Sequence, residues 1–234
     1  LRALLARHGA LYPLTVREAE ALRRRLSALR AQLDTPRDDA DYLYPAAQLR
    51  DYPGRLLQKK RNLVSQLLAA HRVTAEPYTP ALAADALRVH EAWLADKGKR
   101  PGEADDAPCR EALVHAPLLG LQGFLYRADG EPAGFLLAEP LQPGVWVVRF
   151  AKGRVRFKGI AQHMFQHFAA QVLDGSAGDS GGHAGARGAA APAPAWLNFE
   201  QDLGLANFRR TKQSYQPARL LPKWRLSHSP QDAG

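Results

Sequence analysis

The sequence predicts an α/β fold, a mixed sheet flanked by helices, and three observations carry that reading. Apolar residues recur at helical spacing over several long segments. Three short apolar runs lie between residues 121 and 150, and the first two flank Asp129-Gly130, a dipeptide suited to a tight hairpin turn. Strand-like and helical segments then alternate to the end of the chain.

Thr15 followed by Glu18 forms a capping box, and Leu22, Leu26, Leu29 and Leu33 continue at helical spacing, which predicts one amphipathic helix over 15–33 ending before Pro36. The polar run TPRDDAD leads to an extended segment at Tyr42, Leu43 and Tyr44. A second helix is predicted over 54–70. Residues 73–78 read as a strand, and Thr79-Pro80 opens a helix to about residue 95 with Leu82, Leu87 and Trp93 as core candidates. A short helix is expected over 108–115. Strands over 121–126, 132–137 and 145–150 make a meander. A basic loop, a helix over 159–173, a strand over 196–198, a helix over 205–212 and a last strand over 220–224 complete the series. The resulting order, β, α, α, β, β, β, α, β, α, β, resembles that of the GNAT acyltransferases.

Residues 175–195, GSAGDSGGHAGARGAAAPAPA, have no apolar periodicity and are expected to form a flexible insertion. Within them, GDSGG at 178–182 imitates the nucleophile motif of trypsin-like proteases. Those enzymes need an all-β scaffold, so the match is read as chance.

With 234 residues and 46% apolar content the chain can bury a full core, which excludes a disordered or fibrous protein. No apolar run reaches the ~18 residues needed to span a bilayer, and no signal peptide opens it, so a cytoplasmic location is expected, with peripheral attachment to the inner membrane face allowed. The lone Cys109 can form neither an internal disulfide nor a Cys-based metal site. A net charge of +9, from 32 Lys plus Arg against 23 Asp plus Glu, favours an acidic partner such as RNA or an anionic lipid surface.

Four constellations could carry chemistry. Arg154, Arg156 and Lys158 lead to Gly159 and Ala161, where a Gly lets the backbone approach an anion and a helix start favours negative charge. This loop is the candidate donor-binding site. Arg55, Lys59, Lys60, Arg61 and Asn62 form a basic segment able to hold phosphates of RNA or lipid. Asn198, Glu200, Asp202 and Gly204 follow a predicted strand, with Arg209, Lys212, Ser214 and Tyr215 beyond. The carboxylates there could orient an amine or accept its proton. His163 and His167 stand four apart, a spacing that can hold a metal, but no third ligand is suitably placed, and no metal is expected.

Three stretches, DYLYPAAQLRDYPGRLLQKKRNLVSQLL, VVRFAKGRVRFKGIAQHMFQHFA and WLNFEQDLGLANFRRTKQSYQPARLLPKW, together resemble the phosphatidylglycerol lysyltransferase C-terminal domain family, whose members are tandem GNAT-like proteins. The resemblance implies that residues 1–72 are the remnant of a first GNAT-like unit with a basic helix, that 73–226 form the GNAT-like domain, and that 227–234 are a tail. It implies aminoacyl transfer from charged tRNA to an amine or hydroxyl, with phosphatidylglycerol as the candidate acceptor. Glu200, Asp202 and Tyr215 would then be catalytic, and Lys212 would join the phosphate-binding residues. No cofactor is expected to be bound tightly; aminoacyl-tRNA or acyl-CoA would be a co-substrate. Two alternatives stand beside this reading: an acyl-CoA-dependent N-acetyltransferase, and a catalytically inactive GNAT-like module that binds RNA or anionic lipid. The sequence departs from the family pattern at Ala151, where that pattern has an acidic residue.

Overall fold

In the computed structural model, which describes residues 1–175 and 195–228, the chain opens with α1 (Arg2–His8), β1 (Ala10–Leu14), α2 (Val16–Arg23), α3 (Leu26–Leu29) and β2 (Ala31–Asp34). The strand β3 (Asp41–Pro45) leads to α4 (Ala46–Asp51), α5 (Gln58–Ala70), β4 (Val73–Pro77), α6 (Ala83–Asp96) and α7 (Asp106–His115). Then come β5 (Gln122–Ala128), β6 (Glu131–Gln142), β7 (Val145–Gly153), α8 (Ile160–Leu173), β8 (Trp196–Asn198), α9 (Ala206–Gln213), β9 (Arg219–Leu221) and β10 (Trp224–His228). No helix among the described residues is long and apolar enough to cross a membrane. Apart from its end residues, the expected insertion, with GDSGG inside it, lies outside the described residues.

The chain divides into two compact units, one of residues 1–43 with 200–234 and one of 44–199. This differs from the division at residues 72 and 73 expected from the sequence, because the chain returns after Phe199 to pair with its own beginning. In the first unit β10 is the middle strand of a three-stranded antiparallel sheet between β1 and β2. Leu5, Ala31 and Leu226 are its buried centre, with Leu11, Leu14, Leu22, Leu26, Leu29 and Leu33 packed around them.

That packing corrects the single helix expected over 15–33. The capping box is present, with the Thr15 and Glu18 side chains each bonded to the other's backbone N–H. The helix nevertheless breaks after Arg23, and Arg30 at φ 49° turns the chain into β2. Leu33 keeps an apolar position, but in a strand register opposite Leu226. Helical spacing of leucines sets local preference only, and a distant strand overrides it. The expected last strand over 220–224 likewise splits in two. β9 pairs with β3, setting Tyr42 opposite Leu220, while β10 joins the other sheet.

The second unit holds the meander. β4, β5, β6 and β7 pair antiparallel in order, and β8 adds parallel to β7. Asp129 and Gly130 both have positive φ (52° and 83°), as a tight hairpin between β5 and β6 requires. On one face α6 and α7 cover Leu125, Phe135 and Leu137 with Val89, Cys109 and Leu113. Burial pushes the Cys109 thiol up to about 12, so it acts as a small apolar side chain. Met164 and Ile160 of α8 press on Gly134 and Gly153, where a β-carbon would meet them.

Candidate functional site

In the second unit, β7 and β8 share only a short parallel ladder, Val145 to Trp196 through Val147 to Asn198. Beyond Val147, β7 continues to Gly153 paired with β6. β8 is paired along its whole length, so residues 148–153 of β7 have no strand partner on that side among the described residues, and backbone groups on that edge are left for another partner. Directly after β7 the loop carrying Arg154, Arg156 and Lys158 turns into α8, so the unpaired edge of β7 and the helix start follow one another in the chain.

Gly159 is the N-cap of α8, at φ 100°. A β-carbon there would run into the Leu63 carbonyl group, 2.9 Å from its carbon and 3.2 Å from Cβ of Leu67. The start of α8 therefore lies directly on α5, which carries the basic segment. Two constellations far apart in sequence become neighbours. α4 joins them: the Tyr52 hydroxyl donates to the carbonyl of Gln162 at 2.9 Å, and the Gln166 amide to that of Arg50 at 2.8 Å.

The cations of these segments divide into tethered and open ones. Arg154 and Arg156 both pair with Glu131, and Arg156 also lies over the Phe157 ring. Lys158 is exposed, and Ala161 is half-buried at the first turn of α8. Arg61 donates to the carbonyls of Tyr52 and Gly54 and to the Gln58 side chain, fastening the turn between α4 and α5. Lys60 is half-buried, and burial followed by the neighbouring Lys59 lowers its pKa. Arg55, Lys59 and Asn62 are exposed, and Asn62 accepts from Gln58 at 3.0 Å.

In the first unit Asp202 is the hub. Its carboxylate accepts from the Tyr42 hydroxyl at 2.5 Å, from Arg209 at 2.8 and 3.0 Å, from the Gly204 N–H at 3.0 Å and from Arg37 at 3.4 Å. Arg209, then the Tyr42 and Gly204 donors, hold it far below the usual carboxylate range despite its burial. A carboxylate so stabilised is a poor proton acceptor, and its geometry is that of a structural tie. Arg209 extends the tie to Asp38, and a β-carbon on Gly204 would sit 2.7 Å from the Asp38 carboxylate.

Glu200 is half-buried at φ 57°, and its carbonyl receives the Lys212 ammonium at 3.1 Å. Lys212 also donates to the Gln201 carbonyl at 2.5 Å and lies over the Tyr42 ring. Burial brings it down to about 8, with the surrounding carboxylates opposing. Tyr215 is buried, and its N–H bonds the Lys212 carbonyl. The structure thus gathers Glu200, Asp202, Lys212 and Tyr215 into one network. Sequence reasoning missed Arg37, Asp38 and Tyr42, whose local pattern carries no signal of a partner some 160 residues away.

The two histidines of α8 form an aromatic contact with Tyr126. His163 and His167 flank the Tyr126 ring, and His167 Nδ1 stands 3.1 Å from its hydroxyl. Among the described residues no group of three His, Cys, Asp or Glu side chains is placed to hold a metal. A buried polar set also escaped the sequence reading. His90 contacts Asp106 at 2.8 Å, and Lys152 bonds both oxygens of Asp105 at 2.7 Å while standing 3.7 Å above the Trp93 ring.

The family described as phosphatidylglycerol lysyltransferase, C-terminal, matches residues 1–227. The chain belongs to this family. Among solved structures, a conserved protein of unknown function from Bacteroides thetaiotaomicron VPI-5482 is 22% identical over 97% of this chain and 72% of that chain, with a TM-score of 0.78. L-PGS from Bacillus licheniformis is 11% identical, covering 96% of this chain and 68% of that chain, with a TM-score of 0.62. The C-terminal domain of a protein named as a lysylphosphatidylglycerol synthetase from Agrobacterium fabrum is 13% identical over the same shares, at 0.61. At these identities the likeness shows the fold, an α/β arrangement with a mixed sheet flanked by helices, as the sequence predicts. No curated protein matches the chain.

Proposed function

We propose that this member of a GNAT-like acyltransferase family transfers an aminoacyl group from charged tRNA to an amine or hydroxyl, with phosphatidylglycerol as the candidate acceptor. The observation that carries the reading is the stretch of β7 beyond Val147 that has no strand partner on the β8 side, which leads through Gly153 into the basic loop and the start of α8. An extended donor fits the open edge of β7, and its phosphates fit Lys158 and the first turn of α8. The acceptor oxygen or nitrogen attacks the ester carbonyl of the donor, its proton passes to a carboxylate, and the ester C–O bond to the ribose breaks as that oxygen takes up a proton. We assign the proton-accepting role to Glu200, because Asp202 is engaged by four donors.

The test is affinity for charged tRNA, uncharged tRNA and acetyl-CoA, with Lys158→Glu beside the wild type. Charged tRNA should bind, and Lys158→Glu should lose much of that affinity at unchanged melting temperature. Preference for acetyl-CoA would select the N-acetyltransferase instead.

One observation favours a second reading, a catalytically inactive binding module. Two of the three loop cations are held by Glu131, and β7 carries Ala151 where the family pattern has an acidic residue. Tight binding of charged tRNA with no transfer to any acceptor would select it.

A further inference from the structure

From residue 52 to residue 75 the chain holds five cations, Arg55, Lys59, Lys60, Arg61 and Arg72, and no Asp or Glu. Elsewhere many cations are neutralised, as Lys152 is by Asp105 and Arg154 by Glu131. Here Arg61 is bound only to carbonyl and amide oxygens, so its charge persists. The side chains of Arg55 and Lys59 make no ion pair or hydrogen bond among the described residues, and both are exposed. Between them projects Leu56, 75% exposed at the turn from α4 into α5. That turn is rigidly held, by Arg61 from within and by Gly159 and Tyr52 against α8.

A protruding aliphatic side chain flanked in the chain by the exposed cations Arg55 and Lys59 fits the boundary between headgroups and acyl chains of an anionic bilayer. It fits RNA poorly. Single-stranded bases are read by stacking on aromatic rings, and of the two aromatic side chains of this segment Tyr52 is fully buried while His71 packs edge-on against Phe157 and contacts Asp129.

We infer that the turn from α4 to α5 docks the chain on an anionic phospholipid surface, with Leu56 entering the interface and Arg55 and Lys59 over the headgroup phosphates. The inference deepens the lipid side of the proposed function, yet it requires no donor and no transfer.

The experiment uses the full chain and vesicles of phosphatidylcholine with or without phosphatidylglycerol. Cys109 is fully buried, so Leu56→Cys can carry an environment-sensitive fluorophore at that position alone. The emission should shift to the blue with phosphatidylglycerol vesicles and stay unchanged with phosphatidylcholine alone. Arg55→Ala and Lys59→Ala should each weaken vesicle binding about fivefold, and Leu56→Ser roughly tenfold. The inference is overturned if the chain does not bind the anionic vesicles, or if it binds them while the label stays in water. It is equally overturned if the two Ala variants lose affinity for tRNA and keep it for vesicles, which would make this an RNA-binding face. The docking assay contains no donor, so its outcome is independent of transfer: a chain that docks here yet transfers nothing when charged tRNA is supplied would refute the proposed function and leave the docking surface standing.

Discussion

Gly159 has no side chain because the carbonyl of Leu63 occupies the place where one would be. Its φ of 100° is also strained for any other residue. Gly159→Val should therefore lower stability by at least about 2 kcal/mol, together with any loss of donor affinity. Chemical denaturation of wild type and variant measures it. The sequence alone implies that this change would report on donor binding; the packing on α5 makes Lys158 the cleaner probe.

Asp202→Ala removes the acceptor for Tyr42, Arg209, Arg37 and Gly204 at once, and should cost roughly 3 kcal/mol or more. Tyr42→Phe, which deletes one donor, should cost about 1 kcal/mol. Urea midpoints at fixed slope decide between a structural tie and a proton acceptor, since a purely catalytic Asp202 would leave them unchanged.

Acid should weaken the fold through two carboxylates. Asp202 is held far below its ordinary value by Arg209 first, and Asp106 is lowered to about 2 by the Gly102 N–H first, with His90 and Arg110 adding to it. For a depressed carboxylate the stabilisation is present above the unfolded value near pH 4 and is lost as pH falls through the folded one. Asp106→Asn should flatten the loss of stability between pH 4 and 2.

His163 behaves oppositely in charge and alike in direction. Burial, then the neighbouring His167, brings it down to about 4. The unfolded chain binds more protons between pH 6.5 and 4, so stability falls as pH drops through that window. NMR titration of the ring protons should find His163 neutral at pH 6, and His163→Phe should remove part of the slope.

Much of the fold was legible because its signals are local. Asp129-Gly130 fixes a hairpin by backbone conformation, and Thr15 with Glu18 fixes a helix start by two hydrogen bonds. What stayed hidden depends on distant partners. Leu26 to Leu33 kept helical spacing but answer to Leu226, and β9 and β10 adjoin in sequence while entering different sheets. The candidate site shows the same division. The loop before α8 and the basic segment were each visible as charge patterns, but their contact through Gly159 and Leu63 was not. Nor was the capture of Arg154 and Arg156 by Glu131, which sits across the strand pair and has no mark in sequence.

The most direct test of aminoacyl transfer is to incubate the chain with labelled aminoacyl-tRNAs and phosphatidylglycerol vesicles and follow the label into the lipid extract. Labelled lipid is expected, sharply reduced by Lys158→Glu and by Glu200→Gln, while Asp202→Asn acts mainly through stability. Label that stays on tRNA with every acceptor supplied, from a chain shown to be folded, would contradict it.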